Sequence, residues 1–258
     1  MNGAERHDLA VFFDFENVAL GLPKHGEDSF DVHRVLQRLL EKGNILVRRA
    51  YADWSRFSKF VKSFHEAGIE LIEIPRRGDS GKNSADIRLC VDAMDLCYAK
   101  EHIDTFVIVS GDSDFSPLVS KLRENGKRVI GLGVQGTTSE LLVANCDEFI
   151  FYEAIVAEPK PETSAEPQAV DAKSAGVRLV ADTVSALLRE GRDPIQASLI
   201  KDTIKRKRPS FSEAALGYRS FTELLEDAQT HKLVTLREDP RSGTYFVSLA
   251  KSTRRTKE

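Results

Sequence analysis

Residues 11–20, VFFDFENVAL, and residues 107–115, VIVSGDSDF, each place aspartates directly after a run of apolar residues. Apolar runs of this length, bounded by polar residues, are typical of buried strands. Asp14 ends the first run, and Asp112 and Asp114 follow the second. Strands that are apolar on both faces need cover on both sides, as in a parallel sheet. The two stretches therefore predict buried parallel strands with acidic residues at their carboxyl ends.

Strand-like and helix-like stretches alternate around these two runs. Further strand-like stretches are NILVRRAYA (44–52), IELIEIP (69–75), KRVIGLGV (127–134) and a short last one, EFIFYEA (148–154). Helix-like stretches are DVHRVLQRLLEKG (31–43), SRFSKFVKSFHEAG (55–68), SADIRLCVDAMDLCYAK (84–100), DFSPLVSKLRENG (114–126) and SELLVANC (139–146). This alternation predicts an α/β fold with a doubly wound parallel sheet.

The acidic residues are expected to converge at one edge of this sheet. Ligands of doubly wound sheets bind beyond the carboxyl ends of the strands, where the strand order reverses. If the order is 3-2-1-4-5, the strands ending near Asp14 and Asp112 are neighbours, and Asp86 begins the helix before the second of them. Clustered carboxylates repel one another unless a cation neutralises them. All-oxygen sites select Mg²⁺ or Mn²⁺, which cleave phosphodiesters by activating water and stabilising the leaving oxygen.

Each of these residues also has a purely structural explanation. Asp14 ends a strand, where polar residues are common. Asp112 or Ser113 is suited to cap the helix that starts near Pro117. Asn17 is either a turn residue or a residue that orients a carboxylate or a metal-bound water molecule. The sequence alone leaves these alternatives open.

Three stretches, VFFDFENVAL, KNSADIRLCVDAM (82–94) and VIVSGDSDFSPLVSKLRENGKRVIGLG (107–133), resemble the signature segments of the NYN domain, a branch of the PIN-like nuclease superfamily. The resemblance covers about residues 8–153. It implies a PIN-like sheet of order 3-2-1-4-5 and a metal-dependent ribonuclease. By motif position, Asp14, Asp86 and Asp112 take the metal-binding and catalytic roles, with Asp114 and Asn17 as supporting catalytic residues.

Side chains near the acidic residues are candidates for binding RNA. Arg76, Arg77 and Lys82 lie in the loop PRRGDSGKN (75–83). The alternative is that this loop is only solvated and does not bind RNA. Trp54 follows the second strand and is placed to stack on a base. The alternative for Trp54 is that it packs against the end of the sheet.

A second, smaller domain is expected after a linker. Residues 1–153 form the first domain, residues 154–175 are rich in proline and small residues, and residues 176–258 form the second domain. Three helix-like stretches and a final hairpin, VTLREDPRSGTYFVSL (234–249), outline a winged helix. The chain from residue 175 onward has 16 Lys and Arg against 11 Asp and Glu, whereas the whole chain has a net charge of −3. A basic domain is suited to a polyanion.

The stretches ASLIKDTIKRKRPSFSEAALGYRSFTELLEDA (197–228) and LVTLREDPRSGTYFV (233–247) resemble the OST-HTH, or LOTUS, domain. This resemblance implies that the domain binds RNA or docks a protein partner such as a helicase. Lys205, Arg206, Lys207 and Arg208 are the candidate RNA-binding residues; the alternative is a solvated helix end favoured by the helix dipole.

Composition excludes several other classes of protein. The apolar runs are too short to span a membrane, and the first residues do not resemble a secretion signal. Three cysteines without a CxxC pair predict reduced thiols, and the six histidines show no zinc spacing. The glycines of GLGVQG (131–136) follow the fifth strand rather than the first, which argues against a dinucleotide site. We therefore expect a cytoplasmic protein without membrane contacts; the sequence indicates no oligomeric state.

The sequence leaves three functions open. The first is an Mg²⁺- or Mn²⁺-dependent endonuclease that cuts single-stranded RNA delivered by the basic domain. The second is a non-catalytic RNA-binding or scaffold protein that keeps the nuclease fold. The third is an unrelated Mg²⁺-dependent phosphatase, which the absence of a covalent-nucleophile motif disfavours.

Overall fold

The computed structural model describes residues 7–22, 30–75, 83–157, 172–238 and 243–250. The chain divides into two compact units, Met1–Lys160 and Pro161–Glu258. Each unit has its own hydrophobic core. No helix among the described residues is long and apolar enough to cross a membrane. The three cysteines Cys90, Cys97 and Cys146 are free thiols, as the sequence predicts.

The first unit is built on a six-stranded parallel sheet in the order β3-β2-β1-β4-β5-β6. Its strands are β1 (His7–Asp14), β2 (Gly43–Ala52), β3 (Glu70–Glu73), β4 (Thr105–Val109), β5 (Arg128–Gly133) and β6 (Glu148–Phe151). The order confirms the predicted 3-2-1-4-5 and adds the short last strand at the edge. Phe13 pairs with Val109, so the ends of β1 and β4 lie side by side.

The helices of this unit are α1 (Phe15–Gly21), α2 (Val32–Leu40), α3 (Ser58–Glu66), α4 (Ser84–Ala99), α5 (Ser116–Glu124), α6 (Glu140–Asn145) and α7 (Tyr152–Ala157). A 3-10 turn at Ser113–Phe115 leads into α5. Alternate residues of β1 enter two cores: Val11 and Phe13 face one, and Ala10 and Phe12 face the other. The sheet is therefore covered on both faces, as its apolar strands require.

Some predicted boundaries differ from the structure. Helix α1 begins directly after Asp14, where no helix was predicted. Strand β6 ends at Phe151, and α7 occupies residues expected to continue the strand and begin the linker. The remaining linker residues, 158–171, lie outside the described residues.

Two glycines of GLGVQG are explained by close packing in this unit. A Cβ atom at Gly131 would lie 2.3 Å from the ring of Phe149, and one at Gly133 would lie 2.5 Å from the hydroxyl of Thr138. Neither distance is possible for a real side chain without movement of its neighbour. The glycines are thus required by packing around β5.

The second unit consists of helices and a small antiparallel sheet. Its elements are α8 (Ala172–Arg189), β7 (Ile195–Gln196), α9 (Ala197–Lys207), a 3-10 turn (Ala214–Leu216), α10 (Phe221–Thr230), β8 (Val234–Glu238) and β9 (Tyr245–Leu249). The strands pair antiparallel in the order β7-β9-β8. Helix α8 begins at Ala172, earlier than the sequence suggested. Tyr218 is buried in the core and its hydroxyl donates to Asp227 at 2.6 Å.

Candidate active site

Asp14 is a buried carboxylate at the carboxyl end of β1. Only 4% of the residue is exposed. It caps α1 by accepting a hydrogen bond from the backbone N–H of Asn17 at 3.4 Å, and it accepts a second from the Ser110 hydroxyl at 2.8 Å. Burial raises the pKa of Asp14 from 3.8 to about 7; the charges of Asp86 and Asp112 add to the rise, and the two hydrogen bonds oppose it. A carboxylate in this position needs a proton or a cation at neutral pH.

Asn17 and Ser110 join the turn after β1 to the turn after β4. The side-chain carbonyl of Asn17 accepts a hydrogen bond from the backbone N–H of Gly111 at 2.8 Å. The Ser110 hydroxyl, which donates to Asp14, also accepts one from the backbone N–H of Asp112 at 3.1 Å. Asn17 is therefore a cross-strand tether within α1 rather than a turn residue alone.

Asp86 lies half-buried in the first turn of α4. Burial raises its pKa from 3.8 to about 6, and the charges of Asp112, Asp114 and Glu16 contribute to the rise. The carboxylate of Asp112 accepts a hydrogen bond from the backbone N–H of Asp114 at 2.9 Å, so Asp112 does cap the turn that precedes α5. Capping and membership of the acidic group are compatible roles for this residue.

These carboxylates form an acidic centre, defined here as Asp14, Asp86, Asp112 and Asp114. The oxygen donors and the raised pKa values of its two more buried members suit a hard divalent cation. Among the described residues, however, no three carboxylate, imidazole or thiol side chains are gathered closely enough to form a ready metal site. The centre therefore has oxygen donors suited to a cation, but its described carboxylates are spread apart.

Sequence reasoning missed three residues at the edge of this centre. Ser110 is fully buried and holds Asp14. Glu16, in the first turn of α1, accepts a hydrogen bond from the backbone N–H of Asp53 at 3.3 Å and one from the Arg56 guanidinium at 3.1 Å. The signal for Ser110 and Glu16 was their position within the two acidic motifs. Arg56 had no such signal, because the sequence suggested that it begins a helix.

The prediction that Trp54 stacks on RNA is wrong in this structure. Trp54 is only 6% exposed, its ring stacks on Phe15 at 5.5 Å, and its indole N–H donates to the backbone carbonyl of Ile72 at 3.2 Å. The ring is thus buried and its N–H is engaged with the protein, as the packing alternative predicted. The apolar cluster of phenylalanines around Phe15 provides the burial that sequence alone could not assign.

The other candidate RNA-binding residues are placed only in part. Arg76, Arg77 and Lys82 lie outside the described residues. Lys205, Arg206 and Lys207 form the last turn of α9, and Arg208 is its C-terminal cap. Lys205 and Arg208 are exposed, whereas Arg206 is partly buried and donates to the Thr203 hydroxyl at 3.0 Å. Cations here also interact favourably with the helix dipole.

A parallel sheet with acidic side chains beyond the carboxyl ends of two adjacent central strands has the architecture of a PIN-like α/β domain. Residues 8–153 match the family model of the NYN domain, and the chain belongs to that family, a branch of the PIN-like nuclease superfamily.

Two proteins of unassigned function are similar to this chain. An uncharacterised protein of Methanocaldococcus jannaschii is 28% identical over 129 residues, which are 50% of this chain and 48% of that protein. This chain thus matches about half of that relative's length. A crystal structure of a protein of unknown function from Vibrio parahaemolyticus is similar with a TM-score of 0.51 and 25% identity, over 58% of this chain and 96% of the other.

Proposed function

We propose that the first unit is a metal-dependent ribonuclease that cuts single-stranded RNA internally. The observation that carries this proposal is the burial of the Asp14 carboxylate, 4% exposed and within electrostatic range of Asp86 and Asp112, at the edge of an NYN-family sheet. Holding buried carboxylates near one another costs stability. Such a cost is typical of sites whose chemistry requires the charge.

In this proposal Asp14, Asp86 and Asp112 hold Mg²⁺ or Mn²⁺, and Asp114 and Asn17 assist. The metal supplies activation of water and stabilisation of the leaving oxygen. Ser110 keeps the Asp14 carboxylate oriented through its 2.8 Å hydrogen bond. Asn17 fixes the backbone of Gly111 and thereby the position of the neighbouring Asp112. The protein's own contribution is to place the carboxylates on two tethered turns before substrate arrives.

We also propose that the second unit is an OST-HTH/LOTUS winged helix that binds RNA or a protein partner. Three helices, α8, α9 and α10, and the β8–β9 hairpin support this assignment. The basic turn at Lys205–Arg208 offers cations for a phosphate backbone, and each contact would release counterions.

The alternative function is a non-catalytic RNA-binding or scaffold protein. The open arrangement of the carboxylates among the described residues favours this alternative. The pKa increases at Asp14 and Asp86 favour the nuclease, because a scaffold gains nothing from buried charge.

The experiment is cleavage of an end-labelled single-stranded RNA with Mn²⁺ or Mg²⁺. We expect EDTA to abolish cleavage and Asp112→Asn to reduce the rate at least about a hundredfold, since a catalytic metal contributes several kcal/mol. Asp95→Asn is the matched control, because Asp95 is an exposed aspartate further along α4. Equal cleavage by wild type and Asp112→Asn, or none by wild type over several RNAs, would favour the scaffold.

A further inference from the structure

We infer that Arg56 is a phosphate-binding residue at the edge of the acidic centre, where it takes a backbone phosphate of single-stranded nucleic acid next to the one that is cut. The inference rests on the proposed nuclease function for the identity of the substrate. It rests on the contacts of Arg56 for the site itself.

Arg56 lies in the turn between β2 and α3, at the carboxyl edge of the sheet. Its backbone N–H donates to the carbonyl of Asp53 at 3.0 Å, which fixes the turn. Its guanidinium donates to Glu16 at 3.1 Å and lies 5.4 Å from the centroid of the Phe57 ring. The side chain of Arg56 remains 45% exposed, whereas that of Glu16 is 16% exposed. The guanidinium is therefore held at its inner side and open to solvent at its outer side.

Glu16 places this guanidinium beside the acidic centre. It follows Asp14 by two residues, in the first turn of α1. One of its carboxylate oxygens binds the turn after β2 through Asp53, and the other binds Arg56. The charge of Glu16 also acts on Asp86, so it lies within electrostatic range of that carboxylate. A cation held by Glu16 is consequently at the rim of the centre.

A polyanionic substrate meets an unfavourable potential at a group of carboxylates. A guanidinium at the rim makes that negative potential weaker. Its five N–H donors match phosphate oxygens in a forked geometry. Within the part of the chain that the structure describes, the hydrogen bond of Arg56 to Glu16 occupies only part of that capacity. Because the ion pair and the Phe57 ring already restrict the side chain, less rotamer freedom is lost when phosphate binds.

The contact would be to the backbone and not to a base. Phosphate contacts position a nucleic acid without reading its sequence. Arg56 should therefore contribute equally to binding of RNAs of different sequence. It should also add to the salt dependence of binding, since each neutralised phosphate releases counterions.

The test measures binding of a labelled single-stranded RNA to the full chain in EDTA over a series of salt concentrations. We expect Arg56→Gln to weaken binding about tenfold, as for loss of a charge-assisted hydrogen bond. The slope of log K against log salt should become shallower by about 0.7, the value for one phosphate of a single strand. Arg56→Lys should keep the slope and lose part of the affinity, because it keeps the charge without the fork.

Arg123→Gln is the matched control. Arg123 is 47% exposed and pairs with Asp147 at 3.0 Å, near the end of α5 and away from the acidic turns. The substitution removes the same charge and a similar ion pair. Because Arg123 lies away from the acidic centre, the substitution should leave affinity and slope unchanged. The series is repeated in a chain carrying glutamine at Lys205, Arg206 and Lys207, so that binding through α9 does not conceal the effect.

The inference is overturned if Arg56→Gln keeps the wild-type affinity and slope in both backgrounds, or if Arg123→Gln lowers them equally. If Arg56→Gln does not fold, an Arg56→Lys variant with wild-type affinity overturns it. Cleavage is scored separately. Arg56-dependent binding without metal-dependent cleavage refutes the nuclease proposal and leaves the phosphate site standing. Metal-dependent cleavage by the wild type, with binding that does not depend on Arg56, refutes the phosphate site and leaves the nuclease proposal standing.

Discussion

Replacing Asp14 with asparagine should stabilise the first unit above neutral pH. The wild-type carboxylate is 4% exposed, and burial raises its pKa from 3.8 to about 7. Asparagine removes the charge, and its one carbonyl oxygen can accept the hydrogen bond from the backbone N–H of Asn17, while its amide NH₂ faces the Ser110 hydroxyl as a donor. It is also as good a helix cap as aspartate. The substitution therefore relieves the cost of the buried charge while keeping the capping contact to the backbone of Asn17.

The magnitude follows from the two pKa values. Because the folded-state pKa lies above the unfolded value, the folded protein holds the proton more tightly than the unfolded chain does. The charge costs nothing well below pH 3.8, and its full cost is present above about pH 7. Linkage gives a cost of about 1 kcal/mol near pH 4.5 and about 4 kcal/mol near pH 8.5. The advantage of Asp14→Asn should therefore grow by about 3 kcal/mol between these two conditions.

Urea unfolding followed by tryptophan fluorescence measures this difference. Trp54 is the single tryptophan of the chain and is buried in the first unit, so its emission reports the unfolding of that unit. The titration is done in EDTA, so that bound metal does not offset the charge. The control is Asp31→Asn, because Asp31 also caps a helix, accepting from the N–H of Arg34 at 3.1 Å, but stands outside the acidic centre.

The reasoning fails if Asp14→Asn is no more stable than wild type near pH 8.5, or if the difference does not change with pH. It also fails if Asp31→Asn shows the same pH-dependent gain. Addition of Mn²⁺ should narrow the gap between wild type and Asp14→Asn, since a ligand that binds only the folded state stabilises it.

Two further substitutions test the hydrogen bonds around the sheet by the same titration. Ser110→Ala removes the donor to Asp14 and should lower the free energy of unfolding by about 1.5–3 kcal/mol. The loss should be larger at alkaline than at acid pH, because the hydrogen bond is strongest to the ionised carboxylate. A loss independent of pH would contradict this. Tyr51→Phe removes a hydroxyl that donates to Asp92 at 2.8 Å from a fully buried ring, and should cost about 1.5–3 kcal/mol. Combining Tyr51→Phe with Asp92→Asn should cost less than the sum of the single changes, and strict additivity would show that the two groups are not coupled.

The arrangement of the sheet could be predicted because the relevant signals are local. Val107–Val109 and the run before Asp14 are apolar on both faces, which only a covered parallel sheet accommodates. Carboxyl ends of parallel strands share one edge, so the approach of Asp14 to Asp112 followed once strand order was known.

Other features depend on contacts between distant parts of the chain. Trp54 follows a strand end in sequence, but whether its ring meets solvent or Phe15 is decided by the folding of α1, which the sequence did not reveal. Ser110 reads as a small residue between a strand and an aspartate. Its function as a donor to Asp14 exists only because β1 and β4 are neighbours. Likewise, nothing in the sequence near Arg56 points to Glu16, 40 positions earlier.

The tether between Asn17 and Gly111 has a consequence for how the protein matures during synthesis. Asp14, Asp86 and Asp112 come from three separate stretches, and the turns that carry the first and last are joined only when β4 has docked beside β1. A nascent chain that ends before β4 contains two of the three aspartates without their geometry. The acidic centre is thus completed late, when most of the sheet has been made, and a truncated chain is not a smaller version of the enzyme proposed here.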